Sequence, residues 1–332
     1  MRNDRTIDCS APVALWKEED MIGARRVKAM VAILRTRGCW WSREGGCTMC
    51  GYNVESVPDV TIEDLRVQLR SLLAKYDGEE MLKIYTSGSF LDDREMPRMF
   101  RDELFAAFPD VERFLFESRP EFVTDVAIDT LPAGRCAIAL GLESADDEVL
   151  DHSIRKGFHR EDYEIAAILL NRRSVPIRTY LLLKPPFLTE AHAIQDTLAS
   201  VEMAQIYSDT ISINPLNVQS RTLVEALWRR GDYRPPWIWS LIEVLRATAG
   251  SGRARVMSSP SGGGTPRGVH NCGKCDRKLL DAVERFSFSQ DIAELDGLDC
   301  GCRREWEGLL QYQDRMRTSV DLERHLGNEL DR

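Results

Sequence analysis

Six short runs rich in β-forming residues, beginning near Val31, Leu82, Arg113, Cys136, Ile177 and Thr210, are each followed by a segment whose apolar residues return at helical spacing. A protein that alternates in this way has few options. Its strands must lie side by side in parallel with the helices covering them, and residues that do chemistry collect at the C-terminal strand ends. Six units are two short of a closed eightfold barrel. The expected fold is therefore α/β: an open six-stranded parallel (β/α)6 partial TIM barrel over residues 25–257, behind an N-terminal extension of residues 1–24.

Two helices announce themselves. Thr61 and Asp64 form a capping-box pattern ahead of Ile62, Leu65, Leu69, Leu72, Leu73 and Tyr76, which return on one face. A second helix is expected after Thr189, with Ala191, Ile194, Leu198 and Val201 inward. The texture changes at residues 258–266, a Ser/Gly/Pro stretch that either flexes or turns tightly. Residues 258–332 read as this linker, a small C-terminal metal-binding module and a charged helical tail with Trp306, Leu309 and Leu310. So small a module has too little core of its own and needs a staple.

Apolar residues make up 43% and charged residues 29% of the 332, which excludes disordered and fibrous classes. No apolar run approaches the roughly eighteen residues that span a bilayer, and the polar start Met1, Arg2, Asn3, Asp4, Arg5 lacks a secretory signal. The expectation is a cytoplasmic protein with no membrane partner. A net charge of −9 argues against whole-surface attraction to nucleic acid and leaves only local basic patches for it.

Nine cysteines in a reducing compartment need a purpose other than disulfides. Cys39, Cys47 and Cys50 form one group, and Cys272, Cys275, Cys300 and Cys302 another, which implies two separate metal sites. Of the isolated pair, Cys136 sits in an apolar run and reads as a core thiol, leaving Cys9. The first group follows the first strand, in a loop with Gly38, Gly45, Gly46 and Gly51. Three thiolates there can ligate three irons of a cubane cluster and leave the fourth open. A zinc ion would need a fourth ligand, and no histidine lies in the loop. The second group can close a tetrahedral zinc site, with His270 as a substitute ligand, or hold an auxiliary iron–sulfur cluster.

Three cysteines after the first strand of such a fold resemble the radical S-adenosylmethionine (SAM) superfamily. Tyr85-Thr86-Ser87-Gly88-Ser89-Phe90-Leu91-Asp92 looks like its small-residue motif, and the stretch from Gly141-Leu142-Glu143-Ser144 to Leu150 resembles a fourth-strand motif shared with the Elongator catalytic subunit and the methylthiotransferases. Within the superfamily, Arg37-Gly38-Cys39-Trp40-Trp41, the seven-residue gap to Cys47, Cys50-Gly51-Tyr52, Glu117-Ser118-Arg119-Pro120-Glu121, Leu183-Lys184-Pro185-Pro186-Phe187 and Asn214-Pro215-Leu216-Asn217-Val218-Gln219 resemble the archaeosine-forming radical SAM family (RaSEA).

That resemblance implies a [4Fe–4S] cluster on Cys39, Cys47 and Cys50 that binds SAM, whose one-electron cleavage gives a 5′-deoxyadenosyl radical. It implies SAM contacts from Ser87, Gly88 and Ser89 near the methionyl amino group, and from Glu143, Lys184 and Asn214 near the ribose or carboxylate. Met49 stands where an aromatic often precedes the third cysteine, and its thioether can pack on adenine. The implied reaction breaks the C–N bond of the lysine in a lysine-conjugated 7-deazaguanine of archaeal tRNA, giving archaeosine. The implied partners are that tRNA, the transglycosylase-like enzyme that attaches the lysine, and an electron donor.

Local basic candidates for RNA are Arg25, Arg26 and Lys28; Arg155, Lys156 and Arg160; Arg172 and Arg173; and Arg229, Arg230 and Arg234. Trp40 and Trp41 could stack on a base or simply pack. A methylthiotransferase would need further N-terminal cysteines, and only Cys9 precedes Cys39. Two other readings stay open: a radical SAM enzyme for a different RNA or small molecule, and a non-enzymatic tRNA- or partner-binding protein in which both cysteine groups are structural.

Overall fold

The computed structural model describes residues 8–316, so residues 1–7, with the polar start, and residues 317–332 of the charged tail lie outside the described residues. The protein divides into two compact units. One comprises residues up to 44, 52–141 and 162–177; the other comprises residues 45–51, 142–161 and 178 onward.

In the first unit, β1 (Ala14–Ile22) and β2 (Arg25–Ile33) form an antiparallel hairpin with Ala14 opposite Ile33 and Ile22 opposite Arg25. The two-residue connection carries Gly23 at φ 60°, the left-handed position such a turn requires. Then β3 (Met81–Tyr85), β4 (Arg113–Ser118) and β5 (Cys136–Glu143) follow in parallel, each beside the last. Val31, Ala32, Ile84, Phe114, Phe116, Ile138 and Leu140 are fully buried, as strands covered on both faces must be. Between the strands lie α1 (Trp41–Glu44), α2 (Ile62–Leu73), α3 (Arg98–Ala107) and α4 (Asp125–Ile128), and α5 (Arg160–Arg172) belongs here from residue 162. The capping box of α2 is formed: Thr61 accepts from the Asp64 N–H, and the Asp64 carboxylate accepts from the Thr61 N–H. Leu65, Leu69 and Leu72 are buried as expected, whereas Leu73 turns out to solvent. Cys136 is a core thiol whose pKa burial pushes up to about 12.

In the second unit β6 (Ile177–Leu183), β7 (Thr210–Pro215) and β8 (Arg255–Met257) run parallel in that order. They are accompanied by α6 (Glu190–Ala204), α7 (Leu223–Arg230), α8 (Ile238–Thr248), α9 (Asp276–Ser289) and α10 (Cys302–Met316). The glycine-rich stretch turns tightly, with the Gly264 N–H donating to Val269 O and Thr265 N–H to Gly262 O.

The expected count of six strands is corrected to eight among the described residues. The six expected strands are β2 to β7, and β1 and β8 are additional. β8 is three residues long and has no periodicity to read. β1 is hidden by its charge: Lys17, Glu18, Glu19 and Asp20 look like a solvated run. In the fold, Asp20 is buried and pairs with the buried Lys83 of β3, which also takes Glu18 at 2.6 Å, while Lys17 reaches Glu79 at 2.5 Å. Buried charges persist when paired, and here the partners lie some sixty residues apart in sequence.

Candidate active site

In the first unit, the turns after β2 and β3 are tied by one carboxyl group. Glu95 is buried; Thr36 Oγ1 donates to its Oε1 at 2.6 Å and the Ser89 N–H to its Oε2 at 2.6 Å. Thr36 Oγ1 in turn accepts the Gly38 N–H at 3.2 Å, so Glu95 braces the backbone on its way into Cys39. Burial raises the Glu95 pKa, against the donors that stabilise the carboxylate. Ser87 Oγ donates to Tyr52 O at 3.1 Å, and Ser89 Oγ accepts the Arg119 N–H at 3.0 Å. Sequence reading missed Glu95 because Asp92-Asp93-Arg94-Glu95 looks like a surface charge run.

Gly88 has a packing reason to be glycine. A Cβ there would lie 2.2 Å from Glu95 Oε2 and 2.7 Å from Cys39 Cα. Gly88→Ala is expected to cost about 1–3 kcal/mol by overpacking and to displace the Cys39 backbone. Urea unfolding should show the loss while far-ultraviolet circular dichroism is unchanged; wild-type stability would refute this.

Two of the motifs that carry the RaSEA resemblance meet in this unit. The Trp40 indole donates to Glu121 at 2.9 Å, the Arg119 guanidinium donates to Glu121 at 2.6 Å and lies 5.6 Å over the Trp40 ring, and Trp40 meets Trp41 edge-on at 5.7 Å. Both tryptophans remain half-exposed.

In the second unit, the loop with Cys47, Met49 and Cys50 is held by its backbone. The Thr48 N–H donates to Ile154 O at 2.9 Å and its hydroxyl to Ser153 O at 2.7 Å, while the Val224 N–H donates to Thr48 O at 3.3 Å. Residues 149–154 form a π-helical turn, a rare geometry frequent at functional sites. Ser153 Oγ donates onward to Pro186 O, so this turn links the cysteine loop to the segment after β6. Met49 packs on the apolar cluster containing Leu150, Ile154, Leu182 and Leu216.

Glu143 ends β5 and Lys184 follows β6, and both hold left-handed backbone, φ 72° and 62°. Non-glycine residues adopt that conformation at a cost, and such strain gathers where geometry serves function. Glu143 pairs with Lys156 at 2.9 Å and Lys184 with Glu190 at 2.6 Å, both largely buried. Asn214 Oδ1 accepts from Ser212 Oγ at 3.0 Å near the end of β7.

Next to Glu143, Ser144 Oγ donates to Asp196 of α6 at 2.6 Å. Burial raises the Asp196 pKa to about 6, and the Asp146 charge adds to this. The unfolded protein loses this proton near pH 4 and the folded protein only near 6, so stability from this group is full below about pH 4 and lost as pH rises through about 6. Asp196→Asn should therefore match the parent at pH 4 and exceed it by at most about 3 kcal/mol at pH 8. Urea unfolding at both pH values measures this, and parallel pH curves would contradict it.

The second cysteine group converges. Cys272, Cys275, Cys300 and Cys302 bring all four Sγ atoms within 4.8 Å of one another, with near pairs at 3.8, 3.7 and 3.6 Å. Backbone N–H groups of Lys274 and Cys275 hold the Cys272 thiol down at about 7, whereas burial pushes Cys275 and Cys302 up. The Trp239 indole donates to Cys302 Sγ at 3.4 Å and the Asn271 amide to Cys275 Sγ at 3.6 Å, contacts suited to thiolate ligands. His270 stands outside this tetrad, with Nδ1 2.8 Å from Gly268 O.

Most of the basic groups singled out in the sequence are already matched. Arg25 pairs with Glu80 and Glu112, Arg26 with Glu19, Lys156 with Glu143, Arg173 with Asp125 and Asp129, Arg229 with Glu225 and Arg230 with Asp232. Arg234 stacks on Trp237 at 4.1 Å. Among the described residues, no helix is long and apolar enough to cross a membrane.

No family model matches the sequence. A relative named archaeosine synthase subunit beta, from Methanosarcina acetivorans, is 40% identical over 314 residues, spanning 91% of each protein. Two solved structures share the fold. A queuine lyase from Clostridium spiroforme, bound to SAM and queuine, has a TM-score of 0.50 at 16% identity, over 74% of this protein and 94% of that one. Elp3 from Methanocaldococcus infernus has a TM-score of 0.52 at 17% identity, over 82% of this protein and 65% of that one. At such identities the structures speak for the fold alone, but the relative's identity and span reach further: the protein belongs to the archaeosine synthase subunit beta family.

Proposed function

We propose that this protein is the radical subunit of an enzyme that breaks the C–N bond of the lysine in a lysine-conjugated 7-deazaguanine of tRNA, giving archaeosine. The observation that carries the reading is the 40% identity to archaeosine synthase subunit beta across 91% of the sequence. The word subunit in that name supports a partner protein, which we take to be the transglycosylase-like enzyme that attaches the lysine. A separate electron donor is required.

In this reading Cys39, Cys47 and Cys50 ligate a [4Fe–4S] cluster. All three are half-buried thiols outside any disulfide, a soft donor set that suits iron–sulfur ligation. With SAM bound, the cluster supplies a carbon radical by one-electron cleavage of a carbon–sulfur bond. The protein's own residues do the rest. Ser87, Gly88 and Ser89 receive the methionyl amino group, Glu143, Lys184 and Asn214 orient the ribose or carboxylate, and Met49 packs on adenine. Left-handed backbone at Glu143 and Lys184 supports their assignment, since it aims both residues from strand ends at some conformational cost. Holding one substrate C–H in reach is the protein's main contribution to rate.

The C-terminal knot holds a single zinc in the same reading. Four sulfurs around one tetrahedral ion with Zn–S near 2.3 Å lie about 3.8 Å apart, and the near pairs here are at 3.6–3.8 Å. A cubane would assign each sulfur to a different iron and spread them wider.

The test incubates reduced holoenzyme, its partner, SAM and tRNA bearing the lysine adduct, then digests the RNA for mass spectrometry. Conversion of the adduct to archaeosine is expected, with tRNA affinity falling steeply as salt is added. SAM turnover with an unaltered adduct, or equal conversion of the free nucleoside, would favour a small-molecule substrate instead.

A further inference from the structure

We infer that Glu190 is a positioning residue through which the four-cysteine knot sets the Lys184 ammonium, so that the metal module tunes SAM affinity without touching SAM. The inference rests on the reading above, in which Lys184 contacts SAM.

Lys184 is gripped at both ends. Its carbonyl accepts from the buried Tyr233 hydroxyl at 2.8 Å, and its ammonium meets Glu190 Oε2 at 2.6 Å. A left-handed lysine keeps its shape only where its surroundings over-determine it, and here the deciding group is a carboxylate with no exposed surface. Such a carboxylate must have its oxygens satisfied. The other oxygen, Oε1, accepts the Trp237 N–H at 2.7 Å and the Ser240 hydroxyl at 2.6 Å.

Those two donors belong to the first turn of α8, and that turn is also where the knot takes hold. The helix has no capping hydrogen bond from its own N-cap residue, so its free N–H groups need partners from elsewhere. Glu190 supplies one. Asn271, adjacent to Cys272, supplies another by accepting the Ile238 N–H at 2.8 Å. Ser240 Oγ accepts the Trp306 indole N–H at 2.8 Å, and Trp306 stands one turn beyond Cys302 on α10. The Trp239 indole donates to Cys302 Sγ at 3.4 Å. Residues 237–240 thus alternate between Glu190 and the knot as partners. A metal bound by all four thiols fixes them relative to one another. Closing the knot therefore fixes Asn271 and Trp306, these fix the start of α8, and that start orients the Glu190 carboxylate under Lys184.

The experiment measures SAM affinity by anaerobic calorimetry on the full-length protein with both metal sites loaded, with iron and zinc assayed for every variant. Trp306→Phe removes the indole N–H and keeps an aromatic ring. It is expected to raise the SAM Kd about three- to tenfold, the effect of one hydrogen bond passed on to a binding group. Lys184→Met should raise it about tenfold or more, and adding Trp306→Phe to Lys184→Met should change nothing further. Ser240→Ala makes the same comparison if Trp306→Phe folds poorly, and Glu190→Gln should behave like Lys184→Met. Equal factors for Trp306→Phe with and without Lys184 would mean general weakening and would overturn the coupling while leaving the SAM role of Lys184 intact. An unchanged Kd in Lys184→Met alone would instead overturn that role, and the inference with it.

Discussion

Reconstituted Cys47→Ser enzyme, given SAM and a strong reductant, is expected to form 5′-deoxyadenosine only at the level of an enzyme-free blank. A radical SAM cluster needs three thiolates and one open iron, and the loop of Cys39, Cys47 and Cys50 has no spare cysteine. The substitution should act on ligation and not on folding. The loop is held through Thr48, whose N–H and hydroxyl donate to Ile154 O and Ser153 O, and neither contact involves the Cys47 thiol. Iron content and the visible absorption of the cluster should fall together with activity, while the thermal midpoint stays near that of the metal-free parent. Cys136→Ser supplies the contrast: that thiol is buried in β5, so its loss should lower stability and leave iron bound. Undiminished 5′-deoxyadenosine formation by Cys47→Ser would remove the cluster from this loop.

Stripping or mutating the second metal site should have the largest effect on stability. Structural zinc in small modules contributes on the order of 10 kcal/mol or more of apparent binding free energy, and that binding energy is folding energy. Metal is not the module's only support, since Leu279, Ala282, Val283 and Phe286 of α9 are buried, but α10 starts at one of the ligands and Cys275, Cys302 and Trp306 are themselves among the buried residues. In Cys275→Ser, amide hydrogens of α9 and α10 should exchange many-fold faster than in the parent, with β2 to β4 protected as before. Elemental analysis of the intact protein should give one zinc beside the irons of the first cluster. Four additional irons without zinc would favour the auxiliary-cluster alternative, in spite of the close sulfur spacing.

What could be read without a structure was whatever the sequence encodes locally. Alternating apolar runs identified β2 to β7, Thr61 and Asp64 identified the start of α2, and cysteine spacing picked out the converging group Cys272, Cys275, Cys300 and Cys302 and the core thiol Cys136. Each of these signals is built from residues near one another in sequence, because helix periodicity, capping and chelation by a loop are short-range effects. Charged residues followed no such rule. Glu18 and Asp20 in β1, Glu95 and Glu190 all look like solvated carboxylates in sequence. They became strand partners for Lys83, a brace for the Cys39 turn and an anchor for Lys184 only when the fold delivered their donors, which for Glu190 include Ser240, about fifty residues away. The basic clusters went the other way, since carboxylates had already claimed most of them, some close in sequence and those of Arg25 and Arg173 far from it. Left-handed backbone at Glu143 and Lys184 was equally invisible, because no local preference favours it in either residue. The sequence alone marked six of the eight strands and the four cysteines that converge near the C-terminus; tertiary structure alone decided which charges are buried, because burying a charge is tolerable only where the whole fold supplies its partner.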